Sequence, residues 1–206
     1  MTLRAIVLSV SEGPATFVCE GGLGNCSFCG GRLGSERGAP TQDAGNTTAQ
    51  CALCLLVRHL DRPRIDDEAE LVWLPEMSQP AVNITMREIH LRLRALGESL
   101  DASTPPQRDT PERRRLYHAR AALRERTGAA AARLGSVRPS ELGRALLRLS
   151  PGAYARRGKL LGGLRLLPAG HFFNGGRDIY TAIVDGWSGV AASPLPRREL
   201  PERAGA

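Results

Sequence analysis

Lysine is almost missing from this 206-residue chain: Lys159 stands alone against 27 arginines. Such a ratio fits a GC-rich coding sequence, and no binding property is read from it. Aromatic residues make up only 4%, so a core has to be built from Leu, Val, Ile and Ala, and a surface that stacks nucleic-acid bases has little to work with. No run of about 18 apolar residues occurs, which excludes a membrane-spanning helix. The short apolar opening, Met1 to Val10, is soon followed by Glu12 and lacks the long apolar stretch and small-residue cleavage site of a secretory signal. A soluble, cytoplasmic protein is expected. Histidine is also scarce, with His59, His90, His118 and His171 the whole supply. No imidazole is therefore available to the first 58 residues.

Those residues instead hold cysteine. Cys26-Ser-Phe-Cys29 and Cys51-Ala-Leu-Cys54 form two C-x-x-C pairs separated by 21 residues, one beyond the usual window for a zinc site. The segment between them is rich in turn formers, so its ends close easily. Four thiolates suit the tetrahedral preference of Zn²⁺ and fill every coordination position, leaving none for a reactive water. One structural zinc held by Cys26, Cys29, Cys51 and Cys54 is the expectation. In a cytoplasmic protein such pairs mean metal or redox chemistry rather than disulfides, and the βαβ context of a thioredoxin-like pair is missing. Cys19, the fifth cysteine, reads as a small buried apolar residue in a strand.

Leu3–Val10 and Ala15–Glu20 read as strands joined at Glu12-Gly13-Pro14, residues 30–50 as a polar loop, and the stretch from Cys51 as a helix stopped by Pro63. The second cysteine pair then lies on a helix's first turn, where the dipole favours thiolates. Leu71-Val72-Trp73-Leu74-Pro75 reads as a buried extended segment. Ser78 is a candidate N-cap for a helix whose Val82, Met86, Ile89, Leu93 and Leu96 share one face. Thr110-Pro111 opens another helix running to about Thr127. Residues 128–137 are Ala/Gly-rich, Ser140–Leu149 is a short basic helix, and a last helix spans Gly176–Trp187. The fold class is α+β: a zinc-stabilised ββα unit, HNH-like or treble-clef, with helices packed on it. Residues 1–100 form the zinc-binding lobe with its following helix, 101–192 a basic helical region, and 193–206 a disordered tail.

Charge divides unevenly. Residues 1–100 carry net −3 and residues 101–206 net +10, so the halves face different surroundings. Arg113, Arg114, Arg115, Arg120, Arg124, Arg126 and Arg133 read as a solvated or partner-facing surface; arginine pairs well with carboxylates. Nucleic acid is the less favoured occupant, since Tyr117 alone interrupts the run. Asp61, Asp66, Asp67, Glu68 and Glu70 read as a solvated acidic loop, the scattered histidines as structural, and Trp73 and Trp187 as core or as partner anchors.

An HNH-type nuclease or nucleic-acid-binding protein is the alternative. HNH enzymes wrap a similar Cys₄ zinc around a separate catalytic metal, and Asn46, five residues before Cys51, has the spacing of the motif's middle residue. The chemistry needs an imidazole between the knuckles to activate water; residues 30–50 contain none. Asp43 is a poor base near neutral pH, His59 follows the second knuckle, and Asn46 then reads as a loop-fixing side chain.

The knuckles followed by Leu71-Val72-Trp73-Leu74-Pro75-Glu76-Met77-Ser78-Gln79, together with Leu164-Arg165-Leu166-Leu167-Pro168 near a final amphipathic helix, resemble the IcmJ (DotN) family of type IVB (Dot/Icm-type) secretion systems. The resemblance covers about residues 17–96 and 160–187. It implies a non-catalytic adaptor with an HNH-like fold and a structural zinc on Cys26, Cys29, Cys51 and Cys54. It further implies docking on the C-terminal tail of the coupling ATPase, alongside other coupling-complex subunits, in an effector-recruiting complex peripheral to the inner membrane. Direct membrane insertion is not implied. The glycine-rich inter-knuckle loop and the basic middle depart from the family pattern, so no partner-contact residue is carried over.

Overall fold

A computed structural model of the chain describes residues 3–10, 24–33, 42–43, 46–47, 49–101, 103–104 and 109–188, with backbone only at 42–43 and 46–47. The expected strand Ala15–Glu20, Cys19 and the tail from 193 lie outside the described residues. The architecture is mixed helix with small antiparallel sheets.

Leu3–Val10 is not a regular strand. It runs as an extended strap held by separate backbone bonds, Arg4 N–H to Ser27 O, Ser9 N–H to Val57 O and Leu60 N–H to Ser9 O. Within the expected polar loop lies a two-residue hairpin, β1 (Gln42–Asp43) with β2 (Asn46–Thr47). Helix α1 (Ala52–Arg58) follows directly. Its sequence is apolar all round, and accordingly Ala52 to Val57 are all buried. It ends at His59, where a bond from the His59 N–H to Leu56 O closes the last turn. Pro63 is thus not what stops it; the turn 59–64 does.

Helix α2 (Ile65–Glu68) leads into β3 (Ala69–Trp73), which pairs antiparallel with β4 (Leu164–Pro168) in the register Leu71↔Leu166. This ladder joins strands from either side of residue 100. Helix α3 (Gln79–Ala95) starts where Ser78 Oγ accepts from Ala81 N, and buries Val82, Met86, Ile89 and Leu93 as its spacing implies. It packs on β4, α4 and α9. Thr110 caps α4 (Pro111–Arg124) by accepting from Arg113 N, and the Ala/Gly-rich stretch is helix α5 (Thr127–Leu134), laid on β3. Helices α6 (Pro139–Leu147), α7 (Pro151–Ala155) and α8 (Arg157–Leu160) bring the chain back to β4. The last helix, α9 (Tyr180–Ser188), begins later than the sequence pattern implies, because β5 (Phe173–Asn174) and β6 (Arg177–Asp178) take the preceding residues. Gly175 and Gly176, at φ of 56° and 81°, make the two-residue turn of that hairpin, a conformation that favours glycine.

The acidic run is a solvated loop only in part: Asp61, Asp66 and Asp67 are exposed, whereas Glu68 and Glu70 are taken up by the fold. Glu68 is fully buried and grips Arg62 through two bonds of 2.7 and 2.6 Å, and also accepts from Phe173 N. Asp66 accepts from Ser140 N and Oγ at the start of α6. Glu70 pairs with Arg124 at 2.7 Å. The basic run is likewise engaged within the chain: Arg113 pairs with Glu98, Arg126 with Glu76 and Arg114 with Asp109. Arg120 is buried and donates to Leu100 O. Three ion pairs, Glu70–Arg124, Glu76–Arg126 and Glu98–Arg113, therefore join the acidic half to the basic half. Trp73 is half-buried beneath the Arg133 guanidinium, 4.1 Å from the ring centre.

Candidate metal centre

The first cysteine pair sits on a tight backbone turn. Cys26 N–H donates to Gly31 O, Gly30 N–H to Cys26 O, and an isolated bridge joins Asn25 to Arg32. Gly30 has a φ of 74°, the left-handed geometry that lets the chain fold back beneath Cys29. The second pair uses the start of α1. Cys51 is its N-cap residue, but its side chain caps no backbone N–H; the sulfur is directed instead toward the first knuckle, 3.6 Å from Cys29 Sγ.

All four sulfurs lie within 4.8 Å of one another and all four cysteines are buried. Zn–S bonds of about 2.3 Å imply tetrahedral S···S edges of roughly 3.8 Å, so the cage matches one four-coordinate ion in size. None of the four forms a disulfide, and the 3.6 Å separation is far from a covalent S–S bond. No histidine or carboxylate joins the cage among the described residues. His59 lies buried at the end of α1. Asn46 and Asp43 belong to the β1–β2 hairpin, and their side chains lie outside what is described.

Charge within the cage is unevenly held. Hydrogen bonds from Cys29, and then from Cys51 and Cys54, hold Cys26 far below the ordinary thiol range. Cys51 N–H adds a backbone donor to the Cys26 sulfur at 3.4 Å. Cys54 is driven far up, first by its bond to Cys26, then by those to Cys29 and Cys51 and by burial. One thiolate is favourable there; four without a cation are not.

Helix α3 supplies the surroundings, through residues not singled out in the sequence. Gln79, Asn83 and Arg87 recur at i, i+4, i+8 and form a second stripe beside the apolar one. Gln79 pairs with both backbone groups of Leu166, its Nε2 donating to Leu166 O and its Oε1 accepting from Leu166 N, each at 2.8 Å. The same Nε2 donates to Asn83 Oδ1 at 2.9 Å. That bond orients the Asn83 amide so that its Nδ2 donates to Cys54 Sγ at 3.2 Å. A continuous hydrogen-bonded line thus runs from β4 to the cage, of the kind that holds metal ligands in place. Arg87 is buried beside it, and its guanidinium lies over the Trp187 ring of α9, 4.5 Å from the ring centre. Burial lowers the Arg87 pKa, and the charge of Cys51, Cys29 and Cys26 works against that lowering. The only sequence signal for the stripe is three polar residues at four-residue spacing.

No protein-family model matches the chain, and no curated protein matches it. Among the described residues, no helix is long and apolar enough to cross a membrane.

Proposed function

We propose that the chain is a zinc-stabilised, non-catalytic adaptor whose zinc staples a binding surface rather than performing chemistry. The observation that carries this reading is the buried cage of four sulfurs within 4.8 Å. Cys26, Cys29, Cys51 and Cys54 would hold the ion. An all-thiolate tetrahedral set suits zinc, with iron the other candidate. A saturated ion supplies structure alone, linking the first knuckle to α1. The β1–β2 hairpin running into α1, with Cys51 at the helix start, supports an HNH-like or treble-clef assignment of this unit.

The motif resemblance to the IcmJ (DotN) family supports a place in a type IVB secretion coupling complex, docked on the C-terminal tail of the coupling ATPase at the cytoplasmic side of the inner membrane. Affinity purification from the native cell, with elemental analysis of the recovered chain, tests both parts. One zinc per chain and co-purification of a membrane ATPase are expected. A folded, metal-free chain would overturn the zinc reading, and recovery without the ATPase would overturn the adaptor reading. A nicking assay with Mg²⁺ or Mn²⁺ is expected to show no cleavage; cleavage lost in Asn46→Ala would replace the adaptor with a nuclease.

A further inference from the structure

Arg87 is only 8% exposed, and its Nη1 has no hydrogen-bond partner among the described residues. A buried cation with an unused donor is costly unless a negative charge faces it, and no ion pair joins Arg87 to a carboxylate among the described residues. Gly31 shows what faces it. A Cβ built on Gly31 would meet Arg87 Nη1 at 2.8 Å and Cys29 Sγ at 3.4 Å. Both groups therefore crowd one glycine, within roughly 6 Å of each other, a range over which charges interact strongly in a dry interior.

A divalent ion on four thiolates carries a net charge of about −2, and the cage is buried. We propose that Arg87 is the counter-cation of the metal centre, a positioning residue that offsets part of that charge while Asn83 holds the Cys54 sulfur from the opposite pair. The inference rests on the zinc reading above. The apolar stem and the stack on Trp187 keep the guanidinium from escaping to water, and Gly31 leaves the space that a larger residue would deny it. One consequence is lower nucleophilicity of the Cys29 thiolate, so the loaded centre resists alkylation.

The test uses the full chain loaded with Co²⁺, whose sulfur-to-cobalt charge-transfer bands report electron density on the thiolates. Arg87→Met keeps the stem and removes the charge; Arg87→Lys keeps both stem and charge. For Arg87→Met we expect metal affinity about 10–100-fold lower in competition with a chelating dye, charge-transfer bands moved to longer wavelength, and faster iodoacetamide alkylation of the loaded form. Arg87→Lys should recover most of each change. Should Met and Lys be equally impaired, the guanidinium acts through packing; should both match wild type, it has no role at the centre; either result makes the proposal wrong. If Arg87→Met does not fold, Arg87→Lys decides alone, since affinity as low as that of a thiolate-ligand variant would overturn the charge argument. A wild-type chain that takes up no cobalt instead sinks the metal reading, and this inference with it.

Discussion

Acidification to pH 5 should weaken this fold, and His90 accounts for a separable part of the loss. The ring is fully buried between α3 and α9. Its Nδ1 lies 2.6 Å from Tyr180 Oη, its Nε2 has no partner among the described residues, and the Arg120 guanidinium acts on it electrostatically. Burial first, and Arg120 second, push its pKa down to about 3 from 6.5. The unfolded chain therefore binds a proton near pH 6.5 that the folded chain refuses until about pH 3. For a depressed histidine, the stability is complete above the unfolded value and is lost as pH falls through the window between the two. Integrated from pH 7 to pH 5, the loss is about 2 kcal/mol, or roughly 4–8 °C in Tm for a chain of this size. The measurement is thermal unfolding at both pH values for wild type and His90→Asn, whose Oδ1 can accept from Tyr180 in place of Nδ1. Thiolate protonation also destabilises a zinc site at low pH, but it is common to both proteins, so the difference between their pH slopes isolates His90. The variant will start lower because it loses ring volume; its slope should nevertheless be shallower by about 2 kcal/mol over this interval. Equal slopes would refute the claim that His90 is held neutral.

Two further outcomes follow from the packing. A Cβ at Gly143 would stand 2.8 Å from Leu60 O and 3.2 Å from Leu60 Cβ, so Gly143→Ala should lift α6 from the end of α1 and cost about 1–3 kcal/mol by chemical denaturation; an unchanged or raised midpoint would show that α6 yields freely. Glu68→Ala leaves the Arg62 guanidinium buried at 6% side-chain exposure without its carboxylate and should cost about 3–5 kcal/mol, whereas the apolar double variant Arg62→Met/Glu68→Leu should cost less. A double variant worse than the single would contradict that account.

What could be read from the sequence is what local geometry dictates. Ser78 and Thr110 precede proline-led helices and do cap them, since an N-cap needs only residues three positions away. The Val82–Leu93 stripe is buried because a helix that must cover a sheet turns one face to it. Errors appeared where the competing partner lies far along the chain. Leu3–Val10 has strand composition, yet its amides bond singly to the first knuckle and the end of α1. Ile179 looks like helix but is preceded by a hairpin that docks against Arg62 and Glu68 through Phe173. The arginine run is an outward surface at Arg114, Arg115, Arg126 and Arg133; what distance along the chain hid is that Glu98, Glu70 and Glu76, 15–54 residues away, pair with Arg113, Arg124 and Arg126.

By itself the sequence set out the four candidate ligands, because each C-x-x-C pair places two sulfurs on a single turn whatever the rest of the chain does. Only the tertiary structure decided what surrounds those sulfurs. Asn83 and Arg87 look like ordinary polar positions on a helix until packing carries α3 over the cage and removes the water. Desolvation and charge compensation belong to the assembled interior, and no residue possesses either alone.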